Sequence, residues 1–207
     1  MQRRKFIKAS IGIAATAAAG GLLFPHLIRT NENKPHTTHM KKILILNGSP
    51  RKNGKTASLL NAFKEGAESA GNQVQEFYLQ GMHIGGCLAC EACSRNGGKC
   101  VQKDDMEQVN DAFLWADVVV FASPQFWGTI SGQLKIVIDR FYALQNRIGM
   151  ASFKKESVFI MTSRGEYYDM AKTFYGLFQA IGWKDLGTVL GAGKEDEARR
   201  LGASIGA

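Results

Sequence analysis

Residues 43–56 read ILILNGSPRKNGKT, an apolar run followed directly by a glycine-rich polar loop. Consecutive aliphatic residues such as 43–46 are typical of a strand that is covered on both faces of a parallel sheet. The loop ends in Gly-Lys-Thr, as many nucleotide phosphate loops do. The stretch therefore predicts a strand, a phosphate-binding turn and the start of a helix.

The glycine spacing argues against a nucleoside triphosphate. Walker A loops follow the pattern G-x-x-x-x-G-K-[ST], whereas five residues separate Gly48 from Gly54. Such enzymes also need a carboxylate for Mg²⁺ at the end of a neighbouring strand, and the run VVVF (118–121) continues into Ala-Ser-Pro instead. A single phosphate bound without a metal fits the loop better, although a polar turn capped by Ser or Thr is the simpler alternative.

Strand-like runs alternate with amphipathic helical stretches from Met40 onward. The predicted strands are Lys42–Asn47, Val74–Leu79, Asp117–Ala122, Val158–Ser163 and Leu186–Leu190. The predicted helices cover 59–70, 104–116, 134–142, 170–181 and 195–201. This alternation predicts one α/β domain with an open, doubly wound sheet, which binds ligands at the carboxyl ends of its strands.

Two further loops follow strands at that edge. Pro124, Gln125, Phe126, Trp127 and Gly128 come after the third strand, and Thr162-Ser163-Arg164-Gly165 after the fourth. Aromatic rings and backbone amides are what a flat, apolar cofactor needs along its face and polar edge. The alternative is that the two aromatic residues belong to the core or to a dimer contact.

All four cysteines lie in CLACEACSRNGGKC, as Cys87, Cys90, Cys93 and Cys100. Two-residue gaps and one longer gap suit a [4Fe-4S] cluster, as in ferredoxins. Disulfides or bare thiols are the next alternative, because an exported protein meets an oxidising compartment. Structural zinc is less favoured, since zinc ribbons separate their Cys-x-x-Cys pairs by ~15–20 residues.

ILNGSPRKNGKT and SPQFWGTISGQLKIVIDR (123–140), in this order, resemble the NADPH-dependent FMN reductase family of flavodoxin-like proteins. The resemblance implies a five-stranded parallel sheet of order 2-1-3-4-5 with FMN at its carboxyl edge. It implies that the first loop holds the phosphate and that residues 124–128 lie along the isoalloxazine ring. The predicted FMN-binding residues are Ser49, Arg51, Asn53, Gly54, Thr56, Pro124, Gln125, Phe126, Trp127, Gly128 and Ser163.

The compact cysteine motif, followed by VQKDDM (101–106), resembles the iron-sulfur flavoprotein branch of the same superfamily. This resemblance implies that the four cysteines bind a cluster that exchanges electrons with FMN. The predicted function is an FMN-dependent oxidoreductase with a [4Fe-4S] cluster. A non-enzymatic flavodoxin-like electron carrier and a cluster-free NAD(P)H:flavin or quinone reductase remain as alternatives. The sequence shows no acid/base pair or nucleophile, and His83 is interpreted as structural.

The N-terminal 39 residues differ in character from the domain at 40–207, whose cysteine segment (87–100) is interpreted as an insertion. MQRRKFIK resembles a twin-arginine export signal, followed by an uncharged Ala/Gly-rich stretch. A short amphipathic N-terminus and an uncleaved anchor are the alternatives. Of the formal net charge of +8, +5 belongs to this leader and +3 to the domain, so the charge does not indicate nucleic-acid binding.

Export predicts a location in the periplasm or on the outer face of the cytoplasmic membrane, with transient membrane contact through the leader. Proteins that cross already folded can carry cofactors inserted in the cytoplasm, which agrees with a flavin and a cluster. The family implies NAD(P)H as electron donor. Because nicotinamide nucleotides are scarce outside the cytoplasm, a redox protein or quinol-linked partner is the alternative donor. A homodimer or homotetramer is also expected.

Overall fold

The computed structural model describes residues 39–165 and 168–206. Five parallel strands form one sheet, ordered β2-β1-β3-β4-β5. They are β1 (Lys42–Asn47), β2 (Gln73–Tyr78), β3 (Val118–Pro124), β4 (Glu156–Thr162) and β5 (Lys184–Leu190). The sheet confirms the predicted flavodoxin-like order, and every strand end lies within two residues of its predicted position. The predicted twin-arginine leader lies outside the described residues.

Six helices connect or follow these strands within the described residues. They are α1 (Lys55–Ser69), α2 (Ala92–Arg95), α3 (Met106–Trp115), α4 (Gly132–Phe153), α5 (Asp169–Ala180) and α6 (Glu195–Ala203). All five predicted helices are present, and α2 is a single turn inside the cysteine segment. None of the helices in the described part of the chain is long and apolar enough to cross a bilayer.

The two faces of the sheet are covered by different helices, which explains the unbroken apolar runs of the central strands. Leu44 and Leu46 of β1 pack in the cluster that contains residues of α3, α4 and α5. Ile43 and Ile45 pack in the cluster that contains residues of α1 and α6. Because successive side chains of a strand point to opposite faces, both sets must be apolar.

Helices α1 and α6 approach each other so closely that glycine is required on both. A Cβ atom added at Gly66 would collide with the backbone carbonyl of Arg199, and one at Gly202 would collide with the carbonyl of Phe63. This contact anchors the C-terminal helix directly against the first helix of the fold.

Helix α4 continues well beyond the segment that periodicity predicted. It runs to Phe153, although Gly149 interrupts its helical geometry with φ 77°. The extension buries Leu144 and Phe153 in the core. Helix α4 as a whole also places Arg140 and Ala143 against the cysteine segment, where both line the same cavity as the cysteines.

Candidate functional site

The first loop is held in place from the ends of β1 and β2. Asn47, the last residue of β1, is buried, and its Oδ1 accepts a hydrogen bond from the Ser49 backbone N–H at 3.0 Å. Its Nδ2 donates to Glu76 Oε1 at 2.9 Å, and the Tyr78 hydroxyl donates to the Pro50 carbonyl at 2.9 Å. Side chains on a central strand and its neighbour therefore fix the loop before it reaches α1.

The N-terminus of α1 suits an anion. Its N-cap, Gly54, supplies no side-chain hydrogen bond to the first-turn amides. Backbone N–H groups and the positive end of the helix dipole at such a terminus favour phosphate. Ser49 and Thr56 are buried at this end, and Arg51 and Lys55 add positive charge beside them.

Three loops meet around one cavity of about 610 Å³ at the carboxyl edge of the sheet. This volume lies within the ~300–1,000 Å³ range of ligand sites. Nine of the eleven predicted FMN-binding residues line it, namely Ser49, Arg51, Asn53, Gly54, Thr56, Pro124, Gln125, Phe126 and Ser163. Pro50, Lys55, Thr162 and Arg164 complete the lining. The structure thus brings together residues that are more than one hundred positions apart.

Hydrogen bonds between the loops define the shape of the cavity. The Thr56 and Thr162 hydroxyls are 2.8 Å apart and buried, which joins α1 to the end of β4. The Ser163 hydroxyl donates to Gln125 Oε1 at 2.5 Å, and the Gln125 N–H donates to the Thr162 carbonyl at 2.7 Å. The loops after β3 and β4 therefore form a single wall.

Trp127 and Gly128 do not line this cavity. Phe126 and Thr129 pair through two backbone hydrogen bonds, and the intervening Trp127 and Gly128 have φ angles of 47° and 81°. Two successive left-handed residues are typical of a type I′ hairpin turn. The turn leaves the Trp127 side chain fully exposed. The predicted contact of these two residues with an isoalloxazine ring therefore remains a prediction.

Sequence reasoning missed Ser123 and Ser131, which join the first two loops. The buried Ser131 hydroxyl donates to the Gly48 carbonyl at 2.7 Å, and the Ser131 N–H donates to the Ser123 hydroxyl at 2.8 Å. A Cβ at Gly48 would lie 2.7 Å from both Leu134 Cβ and Ser131 Oγ. Glycine is therefore required where the chain leaves β1. The Ser131 hydroxyl also accepts a hydrogen bond from the Leu134 N–H and so caps α4, and the preference of serine for helix N-caps is a signal that could have identified it.

The four cysteines are free thiols and line a second, smaller cavity of about 50 Å³. Cys87 and Cys90 are exposed, whereas Cys93 and Cys100 are partly buried. Within residues 39–165 and 168–206, no three His, Cys, Asp or Glu side chains are grouped closely enough to hold a metal ion. The thiols therefore share one cavity without converging on a point.

The backbone turns sharply on both sides of Cys90. Ala89 and Glu91 have φ angles of 51° and 55°. Left-handed geometry costs non-glycine residues about 1–2 kcal/mol each, so the rest of the segment must hold these turns. Gly98 N–H donates to the Cys93 carbonyl at 2.8 Å, and Gln102 Nε2 donates to the Gly86 carbonyl at 2.9 Å.

A buried ion pair lies at the base of the cysteine segment. Arg140 Nη1 and Nη2 donate to the two carboxylate oxygens of Asp104 at 2.7 and 3.0 Å. Burial would raise the pKa of Asp104, but hydrogen bonds from Arg140, Gly85 and Met106 lower it below its ordinary value. Both groups of the pair are therefore charged at neutral pH. The sequence marked Asp104 as the start of a predicted helix, but it assigned neither residue a role beside the cysteines.

A sequence profile for NADPH-dependent FMN reductases matches residues 41–192, which include all five strands and both cavities. The match covers most of the chain and all three loops of the larger cavity. The chain belongs to the NADPH-dependent FMN reductase family. Membership confirms the prediction of an FMN-dependent oxidoreductase, and this family implies a nicotinamide electron donor.

Several proteins of similar sequence are named iron-sulfur flavoproteins, a name that refers to a second cofactor besides the flavin. An iron-sulfur flavoprotein of Methanocaldococcus jannaschii is 36% identical over 53% of the chain and 59% of its own length. An iron-sulfur flavoprotein of Archaeoglobus fulgidus is 29% identical over 80% of the chain and 79% of its own length. The matched part of the chain thus spans less than two thirds of the length of the first of these relatives.

Solved structures share the fold. An NAD(P)H:quinone oxidoreductase from Methanothermobacter marburgensis has a TM-score of 0.63 at 19% identity, covering 81% of this chain and 96% of its own. An FMN-dependent NADH-azoreductase from Bacillus anthracis, solved with FMN, has a TM-score of 0.59 at 13% identity, covering 80% and 100%. At these identities the likeness establishes the flavodoxin-like fold of the FMN reductase family.

Proposed function

We propose that this FMN reductase family member passes electrons between FMN in the three-loop cavity and a [4Fe-4S] cluster at Cys87, Cys90, Cys93 and Cys100. The observation that carries the proposal is the meeting of nine predicted flavin-binding residues around one cavity of about 610 Å³. When bound, FMN transfers electrons singly or in pairs and the cluster transfers them singly. The names of the iron-sulfur flavoprotein relatives support the second cofactor.

The residues of the larger cavity fit FMN. Ser49, Thr56 and the N-terminus of α1 would bind the phosphate, with Arg51 as a charged partner. Phe126 would supply an apolar wall, and the joined loops after β3 and β4 would restrict water access to the ring. Among the described residues that line this cavity there is no carboxylate or imidazole side chain.

The cysteine segment fits a cluster by its donor set. The four thiols around one cavity would supply the four-thiolate ligand set that a cubane cluster needs. The four thiols do not converge on one point in the described part of the chain. This separation favours a second candidate function, that of a cluster-free NAD(P)H:flavin or quinone reductase. The iron, sulfide and FMN contents of the anaerobically reconstituted protein separate the two. We expect one FMN and about four iron atoms per chain, whereas FMN without iron would favour the second candidate.

The electron donor is proposed to be a redox protein rather than a free nicotinamide. Leu88 and Val101 are exposed apolar residues that line the cysteine cavity, and the same stretch of chain carries the exposed basic residues Arg95, Lys99 and Lys103. An acidic protein surface would be complementary to this arrangement. Anaerobic stopped-flow mixing should show slow flavin reduction by NADPH and fast reduction by a low-potential ferredoxin. Rapid reduction by NADPH would contradict this choice of donor.

We also propose export through the twin-arginine pathway, with the mature protein in the periplasm or on the outer face of the membrane. The support is the sequence Arg3-Arg4-Lys5-Phe6-Ile7-Lys8 and the need of a cofactor-loaded protein to cross in the folded state. Cells that express the full chain should release it in the periplasmic fraction. The R3K/R4K variant should stay in the cytoplasm, whereas K8R should be exported. Export of R3K/R4K would contradict the proposal.

A homodimer or homotetramer is proposed on the basis of an apolar groove between α4 and α5. Tyr142, Leu177 and Ile181 are exposed there, next to the partly buried Phe174. Exposed apolar patches of this kind are commonly covered by another subunit. Sedimentation of the wild type and of L177E should show an assembly that this charge disrupts, and a monomeric wild type would contradict it.

A further inference from the structure

Arg140 and Asp104 are buried where a charge is costly. Their side chains are 2% and 6% exposed, and their closest atoms are 2.7 Å apart. Ion pairs in such positions seldom add stability compared with apolar residues, because both charges lose their hydration. The pair is therefore better explained by what it holds than by its contribution to folding.

The pair holds the base of the cysteine segment. Arg140 Nη1 donates to the Gly85 carbonyl at 2.7 Å, and Asp104 Oδ2 accepts from the Gly85 N–H at 3.0 Å. Gly85 lies two residues before Cys87, and Asp104 lies four residues after Cys100. The Gly85 N–H at the start of the segment is thus bonded directly to Asp104 at its end, and the Gly85 carbonyl is linked to Asp104 through Arg140 of α4.

Gly85 and Asp104 accept from three of the five N–H donors of Arg140. Arg140 lines the cavity that the four cysteines share, and its buried Nε–H has no hydrogen-bond partner among the described residues. A buried N–H donor without a partner is unfavourable.

We propose that Arg140 is a positioning residue of the cysteine site, which fixes the segment through Asp104 and Gly85 and supplies its Nε–H as a hydrogen-bond donor to the cysteine sulfurs. This inference rests on the proposed function, because it requires a cluster at the four cysteines. Hydrogen bonds to ligand sulfurs and nearby positive charge are among the factors that set the potential of such a site. Both stabilise an added electron, so Arg140 raises the reduction potential.

The test compares two arginine-to-lysine changes on the same helix in the full-length protein. R140K keeps a positive charge near Asp104 but removes the Nε–H donor and the two-point contact. R147K is the matched control, because Arg147 is more exposed and pairs with the exposed Glu107. FMN and iron contents are measured for each protein, and the iron-sulfur midpoint potential is measured by an EPR-monitored redox titration. D104N provides a second variant that loosens the same contact from the other side.

R140K is expected to retain FMN and to show a more negative potential than the wild type, with R147K unchanged. Loss of iron from R140K or D104N with FMN retained also supports the inference, because it locates the effect at the cysteine segment. An unchanged or more positive potential in R140K with full iron content overturns the inference and leaves the proposed function intact. Joint loss of FMN and iron also overturns it, because the arginine would then support the whole fold. A wild type that binds FMN but no iron overturns both proposals.

Discussion

Arg51 and Lys52 are neighbours at the exposed tip of the first loop, but only Arg51 lines the larger cavity. R51Q should weaken FMN binding roughly tenfold, because it removes a charge-assisted contact with the phosphate. K52Q removes the same charge one position away and should leave the affinity unchanged. Quenching of FMN fluorescence during titration of the apoprotein measures both affinities. Equal effects of the two variants would show that only the net charge of the loop matters.

For single residues, the sequence predicts those whose role depends on a local pattern. Ser49, Gly54 and Thr56 could be predicted because they follow a strand and start a helix within ten positions. The Thr56–Thr162 hydrogen bond and the Arg140–Asp104 ion pair could not, because each joins residues from distant parts of the chain. Periodicity and spacing carry no information about which polar side chains will meet after folding.

At the scale of elements, the cysteine segment packs directly on α4 through Gly98. A Cβ atom at Gly98 would collide with the backbone of Arg147, whereas one at the neighbouring Gly97 would meet nothing within 4 Å. The two glycines have similar φ angles of 81° and 73°. Alanine is therefore about equally strained at both positions, and only at Gly98 must it also displace the segment.

G98A should consequently lose most of its iron while it retains FMN, because the flavin cavity lies in other loops. G97A should keep its iron, although both variants lose some stability from the left-handed backbone. Iron and FMN contents after anaerobic reconstitution measure the difference. Equal iron in the two variants would mean that close packing on α4 is not needed to shape the cysteine site.

The contact between α1 and α6 leads to a prediction about stability. G66A should lower the free energy of unfolding by about 1–3 kcal/mol, because the added methyl group collides with the backbone of α6. G176A, in α5, adds the same group where nothing lies within 4 Å. It should be neutral or stabilising by up to ~1 kcal/mol, since alanine favours a helix more than glycine does. Urea unfolding followed by circular dichroism measures both, and a G66A midpoint equal to that of G176A would argue against this contact.

At the scale of the whole molecule, apolar runs and helical periodicity predicted the fold well. The runs at 43–46 and 118–121 form inner strands of the sheet. Their consecutive apolar side chains point to both faces of the sheet, and only an inner strand covered by helices on both faces buries all of them. The sequence failed where tertiary contacts override local signals. The last turns of α4 form against the core and beside the cysteine segment, and the exposed turn at Trp127 follows from the Phe126–Thr129 pairing rather than from apolar character.

The proposed function requires that one chain holds both FMN and an iron-sulfur cluster. The absorbance spectrum of anaerobically purified protein, compared with that of C93S, tests it most directly. The wild type should show flavin bands near ~375 and ~450 nm together with a broad shoulder near ~400 nm that bleaches with dithionite. C93S should lose the shoulder and keep the flavin bands, because Cys93 lines the cysteine cavity and is not among the described residues that line the larger cavity. Identical spectra for the wild type and C93S would contradict the account.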